Sequence, residues 1–579
     1  MVKFIYKSIA ALILIATFAA CNKKQNLALQ DGTFFGSGAG RNGTINVSVT
    51  IADGKITDAK ILSESETPEI GRAAEESFIE QLLQYGSTNK IDVISGATLT
   101  YNALCDAFED ALNAARNIQP DEISYSDTDC DIVIIGAGGA GLTAATEAAS
   151  KGANVIVLEK MGIVGGNTNF STGGINASYT KEQARLGIAD SPEVFFNDTM
   201  HGGRKMNDPD LVRTLVDNSA DMVEWLQSDL IGADLSDVGI FGGATNKRIH
   251  RPQGGGAIGT HLVPLLYAAA KKHGADIRTK NKVTDILSDT DSSRATGVLV
   301  QYDGGEYTIL ARAIIIATGG FGANSELITH YNPALAGFAT TNHNGATGDA
   351  IGWVRKFDAA LTQMEQIQTH PTVMLHNGIM ITEALRGNGA ILINHAGTRF
   401  VNEMETRDII SAAVLAQPEK TAYLFFDQAV RNSLRAVEEY AEHNLLTMGH
   451  NLAEMAAKLS IPQAQLEQTL SSYNTFVAGK LDSEFGRNPA SMEIALVTPP
   501  FYSIEIEPAV HHTMGGIKID PKAQVLTNSG APVAALFAAG EVTGGVHGAN
   551  RLGGNAVADI CVFGKIAADS ALEYIAAAN

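Results

Sequence analysis

The sequence predicts an α/β chain led by a small α+β unit, and three stretches predict it. "DIVIIGAGGAGLTAATEAASKGANVIVLEK", from Asp131, passes from an apolar run through a glycine cluster into an Ala-rich segment and a second apolar run. "ARAIIIATGGFG", 311 to 322, is another apolar run ending in glycines. "DGTFFGSGAGRNGTINVSVTIADGKITDAKIL", from Asp31, alternates as strands do and breaks at Asp53 and Gly54 in a hairpin signal.

Composition sets the outer bounds. With 579 residues, 45% of them hydrophobic, the chain can bury large cores and divide into about three or four domains. A formal net charge of -21 leaves no general basic surface for phosphates, so no nucleic-acid partner is expected. The 58 glycines are clustered, as where backbone must approach a ligand.

The elements follow in order. Lys3 and Lys7 precede the apolar run Ile9 to Ala20, which has the length of a signal-peptide core and is short for a membrane span. "FAAC" resembles a bacterial lipobox, so residues 1–21 are expected to be a lipoprotein signal with Cys21 lipidated, the product periplasm-facing and membrane-anchored. Phe18 stands where Leu is usual, leaving ordinary signal-peptidase cleavage as the alternative. Residues 31–117 form the small unit, with helical spacing around Ile70 to Tyr85 and in "YNALCDAFEDALNAARN". Residues 118–127, Pro-containing and acidic, read as a linker. The remaining cysteines, Cys105, Cys130 and Cys561, form no CxxC or CxxCH, so no iron–sulfur, c-type haem or zinc-thiolate site is expected, and no metal.

The Asp131 stretch carries chemistry. The strand Asp131 to Ile135 feeds Gly136, Gly138 and Gly141 in GxGxxG spacing, then a helix, then a strand closing on Glu159. Glycines permit the turn and the approach of a pyrophosphate, the helix N-terminus offers free N–H groups, and the acid can accept from ribose hydroxyls. This is a Rossmann-like dinucleotide site. "GGNTNFSTGG", 165 to 174, "ARAIIIATGGFG" and "FAAGEVTGG", 537 to 545, together resemble the flavoprotein pattern in which the C-terminal part returns to complete an FAD site, and that resemblance implies FAD, not NAD.

From Asp131 to the C-terminus the chain resembles the flavoprotein subunit of the fumarate reductase and succinate dehydrogenase group, most closely the soluble flavocytochrome c type. "QTHPTV", "MITEALRGNGAILINHAGTRFVNEMETRD", "HHTMGGI" and "GEVTGGVHGANRLGGNA" carry the resemblance. It implies a Rossmann-like FAD-binding domain, 128–350 and 505–579, with an inserted α+β capping domain, 351–504, that closes over the site. It implies noncovalent FAD held by Gly136, Gly138, Ala140, Gly141, Glu159, Asn167, Thr168, Gly173, Gly174, Val283, Asp349, His512, Glu541, Ala556 and Val557. Reduction of an activated C=C needs a hydride, a proton and a held carboxylate. The resemblance assigns the proton to Arg407, relayed by Glu383 and Arg386. It assigns one carboxylate to His511 and Arg551, the far end to His370, Thr382 and Glu383, and close backbone approach to Gly173 and Gly554.

The expected reaction is fumarate to succinate, because His370, Met380, Thr382 and Glu383 keep the pattern that provides for two carboxylates. Urocanate, acrylates, methacrylate and cinnamates are the alternative substrates on this scaffold. Readings of other classes are an aspartate oxidase or ketosteroid dehydrogenase type of enzyme, and a non-catalytic electron carrier.

"DVISGATLT", 92 to 100, resembles the flavinylation motif of FMN-binding domains, in which a flavin transferase links FMN phosphate to a threonine, here Thr98. Upstream "SETPEIG" fits the same domain, so 31–117 is expected to be a small α+β FMN-binding domain. With no haem in the chain, electrons are expected from a membrane-bound cytochrome or quinol-linked partner, through covalent FMN and then FAD.

Overall fold

The structure, a computed structural model, describes residues 28–40, 43–63, 68–88, 91, 98–117, 124–375 and 378–578. The expected signal segment with Cys21, the motif residues 92–97, and 118–123 of the linker lie outside the described residues. Packing divides the chain into two units, with the break at Glu122 and Ile123.

In the first unit, β1 (Gly32–Ala39), β2 (Thr44–Ala52) and β3 (Lys55–Ser63) form an antiparallel sheet in that order. Ile45, Val47, Val49 and Ile51 alternate along β2 and are buried, the period of two that gives one covered face. That face meets Phe78 of α1 (Pro68–Tyr85) and Leu104, Phe108 and Leu112 of α2 (Thr98–Ala115). Asp53 (φ 52°) and Gly54 (φ 70°) are both left-handed, as a tight two-residue hairpin requires. The "GSG" of β1 also has a packing reason. A Cβ on Gly36 would lie 2.1 Å from the Ala107 carbonyl and one on Gly38 2.0 Å from that of Ala103, so α2 rests directly on the strand.

The second unit begins with β4 (Thr128–Ile135), α3 (Gly139–Ser150) and β5 (Val155–Leu158). Then come α4 (Ile258–Lys272), β6 (Asp276–Arg278), β7 (Lys282–Ser288), β8 (Ala295–Tyr302) and β9 (Gly305–Ile316). The sheet order is β7-β8-β9-β4-β5-β6, with β9, β4, β5 and β6 mutually parallel. Ile132, Val133, Ile134, Val155 and Val157 are buried, the continuous apolar run of strands covered on both faces.

The second layer of this unit is an antiparallel cap. Its strands are β10 (Ile367–Met374), β11 (Ile391–Ile393), β12 (Ala422–Asp427), β13 (Thr447–Gly449) and β14 (Phe501–Thr513), in the order β10-β14-β12-β11 with β13 also on β14. Helices α5 (Arg407–Leu415), α6 (Leu452–Leu459) and α7 (Gln463–Gly479) accompany it. Leu392, Phe425, Phe426, Leu466 and Tyr473 fill a separate core. The chain then returns through β15 (Gln524–Leu526) and β16 (Pro532–Ala538), which lies parallel to β9, and ends in α8 (Asn555–Ala577) against α3.

One stretch expected with the cap packs elsewhere. Val354, Phe357 and Ala359 sit in the dinucleotide-side core, and Leu361–Thr362 pairs with Gly516–Lys518, so 351–362 stays with the first layer. Conversely, Phe241 and Ile249 pack into the cap core.

Candidate active site

The GxGxxG turn forms as local geometry demands. Gly136 has φ 102°, and a Cβ there would lie 2.4 Å from the Ala317 carbonyl; one on Gly141 would lie 1.9 Å from the Gly136 carbonyl. Gly138, by contrast, would meet nothing nearer than 3.8 Å and faces open space. Gly138 has no side chain to cap α3, and Thr168 Oγ1 accepts from Gly139 N at 3.1 Å where the helix N-terminus faces a cleft. Gly136, Gly138, Ala140, Glu159, Asn167 and Thr168 line it, joined by Val283, Asp349 and Glu541. Glu159 Oε2 accepts from Ala137 N at 2.9 Å and Oε1 from Met161 N at 2.8 Å, which fixes the carboxylate at the cleft's edge. Burial nevertheless pushes its carboxyl up from the ordinary value.

Gly141, Gly173, Gly174, Ala556 and Val557, also expected at the cofactor, are not among the residues that line the cleft. Gly174 has no room for a side chain, a Cβ lying 2.3 Å from the His250 carbonyl. Ala556 and Val557 form the first turn of α8 behind Gly554. His512 lies beyond the cleft's lining, its Nδ1 3.7 Å from Glu541 Oε1, while its buried Nε2 has no hydrogen-bond partner among the described residues. The open glycine cradle, the helix terminus at the cleft, the anchored acid and this donor-capable ring together fit a flavin dinucleotide.

Lys160, His343 and Trp353 also line the cleft and were not expected. Lys160 Nζ bonds Asp349 at 2.8 Å, and burial drives His343 down to about 4, so its ring is neutral. Lys160 directly follows the strand-end acid, a position the local pattern could have flagged. His343 has no such signal.

A second constellation sits where the cap meets the first layer. Arg407, at the start of α5, donates through Nε to Glu383 Oε2 at 2.9 Å, and Arg386 Nη2 lies 3.8 Å from the same oxygen. Glu383 Oε1 accepts from Gly242 N at 2.9 Å. Burial acts to raise the Glu383 carboxyl, but Arg407 and Arg386 outweigh it and hold it below the ordinary carboxylate value. Burial, reinforced by Arg407, brings Arg551 down to about 9, and burial brings Arg386 down to about 10.

Strand pairing brings the histidines in. β10 and β14 run antiparallel with Thr369 opposite Val510 and His370 opposite Ala509, which sets the His370 and His511 rings 5.1 Å apart at 63°. His370 Nδ1 accepts from Thr372 N at 3.3 Å, so its neutral ring carries the proton on Nε2, a buried atom with no partner among the described residues. Burial, then the Arg407 charge, lowers both histidines well below their usual value. The site therefore offers arginine charges and neutral imidazole donors together. Arg551 Nε is another buried donor without a partner among the described residues.

Thr382 Oγ1 accepts from Ala384 N at 3.4 Å in the turn before the Arg386 helix. Gly173 and Gly554 were expected to admit ligand, and protein packing also demands glycine there. A Cβ on Gly173 would lie 2.9 Å from the Phe241 ring, and one on Gly554 (φ 89°) 2.5 Å from Asn176 Oδ1.

Residues missed by the sequence tie the set together. Gln368 accepts from Arg407 Nη1 at 3.3 Å and donates to the Arg551 carbonyl at 2.8 Å. Thr341 Oγ1 is 2.7 Å from His511 Nδ1. A Cβ on Gly553 would lie 3.1 Å from Glu383 Oε2, so this glycine and Gly242 leave room for the carboxylate. The Gly pairs 242–243 and 553–554 were the available signal.

Comparison with known proteins identifies the family. Residues 131–557 match the FAD binding domain family and 40–113 the FMN-binding domain family. A fumarate reductase (cytochrome) of Shewanella frigidimarina is 45% identical over 446 residues, 77% of each chain. An NADH:fumarate oxidoreductase of Klebsiella pneumoniae is 39% identical over 91% of this chain and 56% of its own length, and a urocanate reductase of Eggerthella lenta 33% identical over 93% and 91%. The open conformation of a flavocytochrome c3 fumarate reductase superimposes with a TM-score of 0.64, at 40% identity over 81% of both chains. With these matches spanning both flavin domains, the chain belongs to the fumarate reductase family of FAD-dependent oxidoreductases and carries an FMN-binding domain ahead of its FAD-binding domain.

Proposed function

We propose that the chain reduces fumarate to succinate. The observation that carries this reading is the set of buried Arg407, Arg551 and His370 with part-buried His511, which presents two arginines and two neutral imidazoles in one place. A dicarboxylate supplies the negative charge that such a site lacks, and arginine's planar fork suits a carboxylate. His511 and Arg551 hold one carboxylate; His370 Nε2 and the Thr382 turn receive the other. FAD, when bound in the cleft, supplies the hydride.

The protein's own part is the proton. Arg407 donates to the substrate carbon beside the one receiving hydride, and Glu383, bonded to Arg407 Nε at 2.9 Å, returns a proton to it. Arg386, at 3.8 Å from the same carboxylate oxygen, resupplies Glu383. Burial lowers Arg386 to about 10, which suits it to passing a proton on to Glu383.

The wider reading is that FMN linked to Thr98 feeds FAD from a membrane-bound donor, on an exported protein anchored through Cys21. The presence of an FMN-binding domain supports that order of flavins. Anaerobic turnover with a reduced viologen tests the substrate, comparing fumarate, urocanate and acrylate. Fumarate is expected to be turned over fastest by at least an order of magnitude; a similar preference for urocanate or acrylate overturns the assignment.

A further inference from the structure

Behind Arg386, away from Glu383, lies a buried lattice that the reaction as described does not use. Glu403, on the loop before α5, is fully buried with a carboxylate shared by two arginines. Arg399 donates to it through Nε and Nη2, both at 2.8 Å, and Arg487 Nη1 lies 3.2 Å from Oε2. Arg399 continues outward to Asp482 at 2.9 Å and approaches Glu484, a half-exposed side chain, at 4.0 Å. The same two residues grip Arg386. Arg386 Nη1 donates to the Glu403 carbonyl at 2.6 Å, and Arg487 Nη2 donates to the Arg386 carbonyl at 2.5 Å. Arg386 Nε and Nη2 make no hydrogen bond among the described residues, so the Nη1 bond to the Glu403 carbonyl is what orients its guanidinium toward Glu383, while Arg487 holds its backbone.

We infer that Glu403 is a positioning residue for proton delivery: its carbonyl holds the Arg386 guanidinium beside Glu383, and its carboxylate anchors Arg487, which grips the Arg386 backbone. The inference rests on the reading of Arg407, Glu383 and Arg386 as the proton relay.

Charge bookkeeping around Arg386 supports it. The groups facing it are Glu383 on its own turn, Arg407 from α5, His370 from β10, Glu403 from the preceding loop, and Arg487 from the segment after α7. Burial is the largest influence and lowers Arg386; Arg407 and Arg487 lower it further, while Glu383 and Glu403 raise it. Glu403 itself is pushed up by burial, yet Arg487 and Arg399 outweigh that and keep it ionised. Glu383 is the stronger of the two carboxylates acting on Arg386 and is shared with Arg407, while Glu403 adds a smaller offset to Arg487. An uncharged residue there would leave Arg386 facing two arginines with one carboxylate between them.

The test is the pH profile of kcat, measured on FAD-loaded enzyme with a reduced viologen and fumarate. Glu403→Gln is expected to move the alkaline fall in kcat to lower pH by roughly one unit, as loss of a nearby opposite charge does, with KM for fumarate unchanged at neutral pH. Arg487→Gln is expected to move it the other way. A purely structural lattice would scale kcat at every pH and lower thermal stability without displacing the limb, and that result overturns the inference. If Glu403→Gln fails to retain FAD, Arg487→Gln decides alone, and a limb unmoved or moved to lower pH overturns it. An Arg407→Ala enzyme with the parent rate would remove the relay and the inference together; an inactive Arg407→Ala beside an unmoved Glu403→Gln limb removes only the inference.

Discussion

Arg407 and Glu383 are joined by a buried Nε-to-Oε2 bond of 2.9 Å between the start of a cap helix and the turn before another. Neither residue lines the dinucleotide cleft. Arg407→Ala should therefore cost fumarate reduction about 10²- to 10⁴-fold, the usual span of a lost general acid, while FAD stays bound. Flavin absorbance after gel filtration and the viologen assay check both halves.

Gly554 is held at φ 89° as the N-cap of α8, with a would-be Cβ 2.5 Å from Asn176 Oδ1. Gly554→Ala should destabilise the FAD-loaded protein by about 1–2 kcal/mol from the backbone alone, and more from the contact. Thermal unfolding reads the loss. A parent-like Tm would show that the turn relaxes freely.

His370, His511 and His512 are neutral, with folded values below the ordinary 6.5 because the site desolvates them. The unfolded chain binds their protons first, so their contribution to stability is complete above pH 6.5 and is lost as pH falls below it. Tm should drop between pH 7 and about 5. His511→Asn should flatten that slope, and an unchanged slope would show that this imidazole does not contribute to it.

The FMN reading makes a separate prediction. Protein made in a host with the flavin transferase should carry an FMN-sized mass on the peptide containing Thr98, and Thr98→Val should lack it. The variant should keep viologen-driven fumarate reduction, because a small reductant can reach FAD directly. An unmodified Thr98 in such a host would overturn covalent attachment.

Local patterns were legible wherever neighbours in sequence are neighbours in space. The β4-turn-α3 unit, the Asp53–Gly54 hairpin and the acid closing β5 were readable because strand, turn and helix formation are short-range. Gln368, Thr341, Gly242 and Gly553 were not, since each acts on a residue far along the chain. The start of the cap is hidden in the sequence for the same reason: Val354 and Phe357 look like any apolar pair until the core they pack into is known.

What the sequence by itself determined is the set of chemical parts: a dinucleotide turn, an FMN-type motif, and arginines and histidines in a family order. Tertiary structure alone decided their electrostatics. The β10–β14 register sets His370 beside His511, and burial between the two layers turns solvated cations into a crowded, weakly hydrated set. Desolvation and charge at short range depend on distance and exposure, which no reading of residue order contains.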